Sequence, residues 1–349
     1  MRYWILLPLL LVACDKEKPQ ETPAPAASEK ARPDKKGPKL GLLSDPGEPP
    51  TRGGPPSSPP GAGGAKAAGD GLVNTVDKGS EPRREFRYAF KTGETETFTY
   101  ELRMTITGEA GQGKTTKDQK VPGIRYELTA TTKEVSADGT GLIEWSLDKV
   151  DVLSEPGPTA KDVAAEREAW EQLKGTLGKS VISPRGLTIV AEFGSKDQTR
   201  AQMLETLRGP LTDIIVPLPE EAVGKGANWT YRRKPTNREI ANLVQEESFT
   251  LADVTATGGK VARQYSELAP VQEIGAGQIP GGKISLDVFK STSTSTSVFD
   301  LSKFVPKSEA SLTMEKLVTA TTADGQKATV MKANVKSTAK FAPVTPKKK

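Results

Sequence analysis

The chain has no histidine and only one cysteine, Cys14, among its 349 residues. Without imidazole there is no Ser-His pair and no His-based metal site, and the usual general base near neutral pH is missing. With one thiol there is no internal disulfide, so packing alone must hold any fold. Aromatic residues make up only 5% of the chain. The formal net charge is +5, and it falls to +4 if Arg2, the one charged residue in 1–13, is removed. That balance is too even to argue for nucleic acid. The basic clusters Arg232-Arg233-Lys234 and Lys347-Lys348-Lys349 are not interleaved with aromatics, as a strand-binding groove would require. They read as solvated, with contact to anionic lipid as the alternative for the terminal lysines.

What is present begins with an address. Arg2 precedes the apolar run Trp4 to Val12, and Asp15-Lys16-Glu17-Lys18 ends it. The run is about half of the ~20 apolar residues that a spanning helix needs, and it suits a secretory signal. Leu11-Val12-Ala13-Cys14 closes it and resembles the lipobox of bacterial lipoproteins. That resemblance implies acylation of Cys14, cleavage before it and a mature chain that starts there. Two or three acyl chains make a stable anchor, since each buried CH₂ contributes ~0.8 kcal/mol. Asp15 resembles an inner-membrane retention signal of enterobacteria, and the choice between inner and outer membrane stays open.

Between Asp15 and Ser80, 12 Pro and 11 Gly fall among 66 residues with no aromatic, so no core is expected there. The expectation is a flexible tether with a reach on the order of 45 Å. Its function is spacing, or docking through Pro55-Pro56 and Pro59-Pro60. The organisation expected is a signal at 1–13, a lipidated Cys14 and linker at 14–82, a β-rich domain at 83–345 and a basic tail at 346–349.

From Arg84 onward the apolar period is two. Phe86, Tyr88 and Phe90 share one face; then Phe98, Tyr100, Leu102, Met104 and Ile106 share another. Further alternating runs flank Ala137-Asp138-Gly139 and Asp324-Gly325, both hairpin signals. Two helices interrupt the strands. The first is expected to start at Thr159, carry Val163, Trp170, Leu173 and Leu177, and end at Gly178. The second follows a capping box from Ser195 to Gln198, carries Ala201, Leu204 and Leu207, and stops at Gly209-Pro210. Ser291 to Ser297 alternates strictly between Ser and Thr. It reads as a solvated or edge strand, with a polar binding lining as the alternative.

Two short patterns recur in the same order. Gly93-x4-Phe98-Thr99-Tyr100 matches Gly224-x4-Trp229-Thr230-Tyr231, and Val135-x-Ala137-x-Gly139 matches Val254-x-Ala256-x-Gly258. They suggest a duplicated β unit, about 84–193 and 216–340, whose apolar faces are buried together. The fold class expected is therefore mainly β: antiparallel, curved sheet from two similar units with two packed helices.

Val216-Pro217-Leu218-Pro219 leading to Gly224 and Asn228-Trp229 resembles a family of uncharacterised bacterial envelope lipoproteins. The resemblance covers roughly 84 to 340 and implies no agreed activity. At the level of fold alone, the helix-lidded β pattern is also similar to the half-barrel lipoprotein carriers of the LolA and LolB type.

Gly108-Glu109-Ala110-Gly111-Gln112-Gly113-Lys114-Thr115 spells the phosphate-loop pattern. That chemistry needs a buried parallel strand before it and a helix after it. Here the flanking segments alternate like antiparallel strands, so a hairpin loop is expected and no nucleotide. Glu220-Glu221 and Glu246-Glu247 point apart on a strand and form no acid/base dyad. The expectation is a non-catalytic protein without cofactor or metal, anchored in the envelope by Cys14. Two readings of its partner remain. One is an apolar or amphipathic ligand, such as a lipid, in a pocket lined by Tyr100, Trp145, Trp170, Trp229 and Tyr231, needing a cavity of roughly 300 Å³ or more. The other is a scaffold for an envelope protein or the cell wall.

Overall fold

The protein is described here from a computed structural model covering residues 73–110, 115–153, 158–195, 197–232, 243–274 and 282–344. The lipobox at Leu11 to Cys14, the linker up to residue 72, Arg233-Lys234 and the terminal lysines lie outside the described residues.

One antiparallel, curved sheet contains every strand, and it is built from two meanders. The first comprises β2 (Thr95–Ala110), β3 (Thr115–Val135), β4 (Gly141–Leu153), β5 (Gly175–Ile182) and β6 (Thr188–Phe193). The second comprises β7 (Asn228–Tyr231), β8 (Val244–Val254), β9 (Gly258–Ala269), β11 (Lys283–Asp300), β12 (Lys307–Thr321) and β13 (Lys327–Pro343). The short β1 (Val73–Asp77) pairs with β7, and β10 (Gln272–Glu273) pairs with β11. Pairing of β13 with β2 joins the meanders, and β1 and β6 are left at the two edges.

The repeated patterns sit at matching places. Gly93 and Gly224 each precede the first strand of a meander, and Val135-x-Ala137-x-Gly139 and Val254-x-Ala256-x-Gly258 each make the turn between its second and third strands. The two patterns therefore fall at the same strand positions of the two meanders. Gly139 needs its glycine for a positive φ of 82°. Gly258 needs it for close approach, because a Cβ there would lie 1.9 Å from the Phe299 carbonyl oxygen.

Alternation decides the two faces. Phe98, Tyr100, Leu102, Met104 and Ile106 on β2 are all buried, as are Ile143, Trp145 and Leu147 on β4. Over this inner face lie two helices, α1 (Ala160–Glu171) and α2 (Gln198–Thr212). The capping box of α1 is present, with Thr159 and Asp162 bonding reciprocally. Its end differs from expectation: the helix stops at Glu171, and Leu177 and Gly178 belong to β5. Leu177 is buried on a strand, where spacing alone had placed it on a helical stripe. The N-cap of α2 is Asp197, which accepts from the Arg200 amide, and the helix runs through Pro210 to Thr212. Leu204, Leu207 and Leu211 are its buried face.

Three further expectations are corrected. A strand, β1, lies at Val73–Asp77 inside the stretch assigned to the linker, because it has a ladder partner about 150 residues away in β7. Residues 84–90 alternate but form no strand; they make a strap. Arg84 exchanges a pair of backbone bonds with Val223, and the Tyr88 and Ala89 amides donate to the carbonyls of Pro184 and Leu301, tying the two meanders together, while Phe86 packs edge-on to Phe299. Finally, Ser291 to Ser297 is neither edge nor wholly solvated. It lies on β11, central in the sheet between β9 and β12, with Ser291 and Ser293 buried and the threonines outward.

The described flanks of the look-alike phosphate loop are antiparallel strands. Glu109 pairs with Thr115 and Gly108 with Thr116 across antiparallel β2 and β3. Gly111 to Lys114 lie outside the described residues.

Candidate binding surfaces

The five aromatics expected to line one pocket are all buried, in different places. Tyr100 stacks between Tyr126 and Phe341, with ring centroids 5.6 and 4.6 Å away. Trp170 of α1 meets Tyr126 edge-on at 5.0 Å and donates to Glu166. Trp145 sits edge-on to Phe98 and Phe304 and donates to Ser180. Trp229 stacks on Phe249 and donates to the Pro217 carbonyl at 2.8 Å, so the Leu-Pro segment and the Trp strand do touch. Tyr231, on β7 two residues beyond Trp229, is buried as well. These contacts make Tyr100 and Trp170 neighbours through Tyr126, join Trp145 to Tyr100 through Phe98 and Phe341, and leave Trp229 with Phe249 as a separate pair. Burial holds the Tyr126 phenol well above its ordinary range, with the nearby Glu166 adding to the effect.

The inner face of the second meander is more polar. Arg263 of β9 pairs with Glu247 of β8 at 2.7 Å and lies over the rings of Phe249 and Tyr265. Tyr265 donates to Glu267. The segment Asp213 to Pro217, after α2, covers this region, and the space left between it and Ser295, Ser297 and Ser308 is about 10 Å³. Such a space holds at most about one water.

A much larger space lies on the opposite, solvent-facing side of the sheet. It is an open trough of about 590 Å³ crossing β9, β11, β12, β13 and β2. Two rows of outward side chains form its walls. Register aligns Gln264, Thr294, Ser311, Thr338 and Arg103 in one row, and Ala262, Thr296, Glu309, Lys340 and Glu101 in the other. Between them runs the backbone of Arg263, Ser295, Ala310 and Ala339, whose side chains point inward. Three of those four are small. A sheet with small side chains beneath it can sag toward its core, because close packing leaves no void under a Ser or Ala row.

Charges in the trough are paired within the sheet. Lys340 meets Glu309 at 2.8 Å, and Glu101 meets Arg103 at 2.8 Å and Arg125 at 2.7 Å. Partial burial pushes the Glu101 carboxyl up, but the two guanidiniums outweigh it and hold the group below its ordinary value. Glu309 is likewise held low by Lys340. Thr294 and Ser311 share a hydrogen bond of 3.2 Å, and Thr292 and Thr313 one of 2.9 Å.

Elsewhere the shifted carboxylates are tied to local structure. Burial raises Glu96, which accepts from the amides of Phe304 and Val305 and so fastens the β11–β12 connection. Asp138 is lowered by Ser136 and Thr140 in its own turn. Among the described residues no three His, Cys, Asp or Glu side chains are grouped as metal ligands.

No family model matches the chain. No curated protein matches it either. Among solved structures it is similar to lipovitellin, in a structure described as "lipid-protein interactions in lipovitellin", at 10% identity and a TM-score of 0.41. That match covers 73% of this chain and 25% of the lipovitellin chain, so the chain spans about a quarter of that relative. A triple mutant of Rhodopseudomonas blastica porin matches at 7% identity and a TM-score of 0.20, over 71% of this chain and all of the porin. Likenesses this low carry no argument about ligand or activity.

The trough is the part of the molecule that sequence reasoning missed. Thr294 and Thr296 were within reach of the alternative reading of the Ser/Thr run. Gln264, Thr338, Arg103 and Lys340 gave no signal, since each is an ordinary outward residue until register sets it beside the others.

Proposed function

We propose that the chain is a lipid-anchored, non-catalytic protein of the bacterial cell envelope. It works as an interaction scaffold, held off a membrane by its Pro/Gly-rich segment, and it engages a partner on the outer face of its sheet. The partner is another envelope protein or the wall polymer. The anchor rests on Leu11-Val12-Ala13-Cys14 after an apolar run. The non-catalytic reading rests on a chain without histidine and on trough carboxylates, Glu101 and Glu309, that are both already held in ion pairs.

One observation favours a scaffold over an internal carrier. The aromatics placed at a pocket are packed against neighbours, and the gap beneath Asp213 to Pro217 is about 10 Å³, against the roughly 300 Å³ a ligand pocket requires. A ligand-sized space on the described residues, lined mostly by polar and charged side chains, faces solvent instead.

Two measurements test this. Mass spectrometry of the chain purified from membranes should show an N-terminal, acylated Cys14; an unmodified Cys14 would remove the anchor. A photo-cross-linking residue at Thr338, in the trough, should capture an envelope component, whereas one at Thr131, on the same strand face but outside the trough, should not. Equal capture at both positions would sink the outer face as a specific site.

A further inference from the structure

We infer that the trough binds a linear, uncharged glycan laid across β9, β11, β12, β13 and β2. The inference rests on the reading above that the outer face is the binding face, and it adds the chemistry of the occupant.

Shape gives the first constraint. Five neighbouring strands are separated by four spacings of about 4.8 Å, so the floor is about 19 Å long. With a volume of about 590 Å³, it suits an extended chain that crosses the strands. A peptide in that direction would gain no ladder hydrogen bonds, because those are offered at a sheet edge and not across a face.

Charge gives the second. Arg103 and Lys340 are balanced by Glu101 and Glu309, and each is already in an ion pair. A polyanion approaching Lys340 would meet Glu309 and Glu101 as well. A polycation has the converse problem. Neither gains what it would at a single-sign surface.

Wall chemistry gives the third. Gln264, Thr294, Ser311 and Thr338 carry amide and hydroxyl groups, which donate and accept in one place. The hydroxyls of a glycan have the same mixed character. Alanine is the largest apolar residue lining the trough, so a lipid chain would find only methyl groups and the stems of polar side chains to bury against. No aromatic platform is present for stacking a sugar ring, so the site holds its ligand by hydrogen bonds, at modest affinity.

The test uses the full chain in detergent, with hexasaccharides of N-acetylglucosamine and of glucose as neutral probes and a sulfated hexasaccharide as anionic probe. Saturation-transfer NMR should show binding of a neutral probe that persists at ~0.5 M salt, since no ligand charge is screened. Gln264→Ala with Thr338→Val should weaken it about tenfold, through two lost hydrogen bonds. Thr131→Val, outside the trough, should leave it unchanged. Binding of the sulfated probe alone, no neutral binding, or neutral binding indifferent to the double variant would each overturn the inference. If the cross-linker at Thr338 then still captures an envelope protein, the occupant is a protein and the scaffold stands. If it captures nothing, both readings fall together.

Discussion

The two meanders share a plan and differ in what they bury. In the first, the pairs reading back from the β3–β4 turn are Thr132 with Ile143, Ala130 with Trp145 and Leu128 with Leu147. In the second, the pairs reading back from the β8–β9 turn are Leu251 with Val261, Phe249 with Arg263 and Glu247 with Tyr265. The bulky apolar Trp145 of one half thus corresponds to a largely covered arginine, Arg263, in the other, and Leu128 corresponds to its buried partner Glu247. A repeated backbone does not fix the chemistry of its interior. The first half has an apolar core, and the second holds a buried ion pair under a cover of loop and serines.

The largest effect is expected where the first half is most apolar. Trp145→Ala empties a fully buried site and should cost about 3–5 kcal/mol. Denaturant unfolding measures it, and a loss below about 1 kcal/mol would mean that the core does not rest on this residue.

Next comes the corresponding site in the second half. Arg263→Ala leaves Glu247 buried without its partner and should cost about 3 kcal/mol. Arg263→Met combined with Glu247→Leu restores the apolar character of the first half and should be neutral or stabilising by about 1–4 kcal/mol. A double variant no more stable than Arg263→Ala would break the correspondence, since the pair would then be doing something that packing cannot replace.

Smaller effects are expected at the turns. Gly139→Ala forces a side chain to a positive φ, a cost of about 1–2 kcal/mol, and Gly139→Asn should recover much of it because Asn tolerates that region. At Gly258 the obstacle is the Phe299 carbonyl, so Asn should rescue nothing. Thermal midpoints of the four variants check whether matching letters in the two halves serve different needs.

The smallest effect is the pH dependence. In the second half, Asp300 is held low by Ser302 and Thr257 despite burial that pushes it up, and Asp287 is held low by Lys327. A folded value below the unfolded one binds fewer protons, so their stabilisation is present above the ordinary 3.8 and is lost as pH falls below it. Glu96 in the first half is raised above 4.5 by burial, so its contribution is present below that value and fades as pH rises through the folded one. Thermal midpoints across the acid range should show the first trend, and Glu96→Gln should remove the second.

Much of the fold was legible because alternation reports faces directly. Phe98 to Ile106, the turns at Gly139 and Gly325, the cap at Thr159 and the matched glycines all required only local reading. What failed was non-local. Val73 to Asp77 is too short to show a period and is a strand only because Tyr231, Thr230 and Trp229 lie beside it. Residues 84–90 have the period of a strand but no ladder partner. The site was least legible of all. The aromatics drew attention because they are large, and they proved to be core. The trough depends on five strands in register and on Ser295, Ala310 and Ala339 beneath it, none of which is visible one residue at a time.

A body that binds on its outer face, as proposed, needs no lipid in its interior. Native mass spectrometry of the full chain extracted from membranes tests it most directly. The expected mass is that of the chain plus the acyl groups on Cys14, with no further lipid retained in stoichiometric amount. A bound lipid remaining at one per chain after the anchor is accounted for would contradict it.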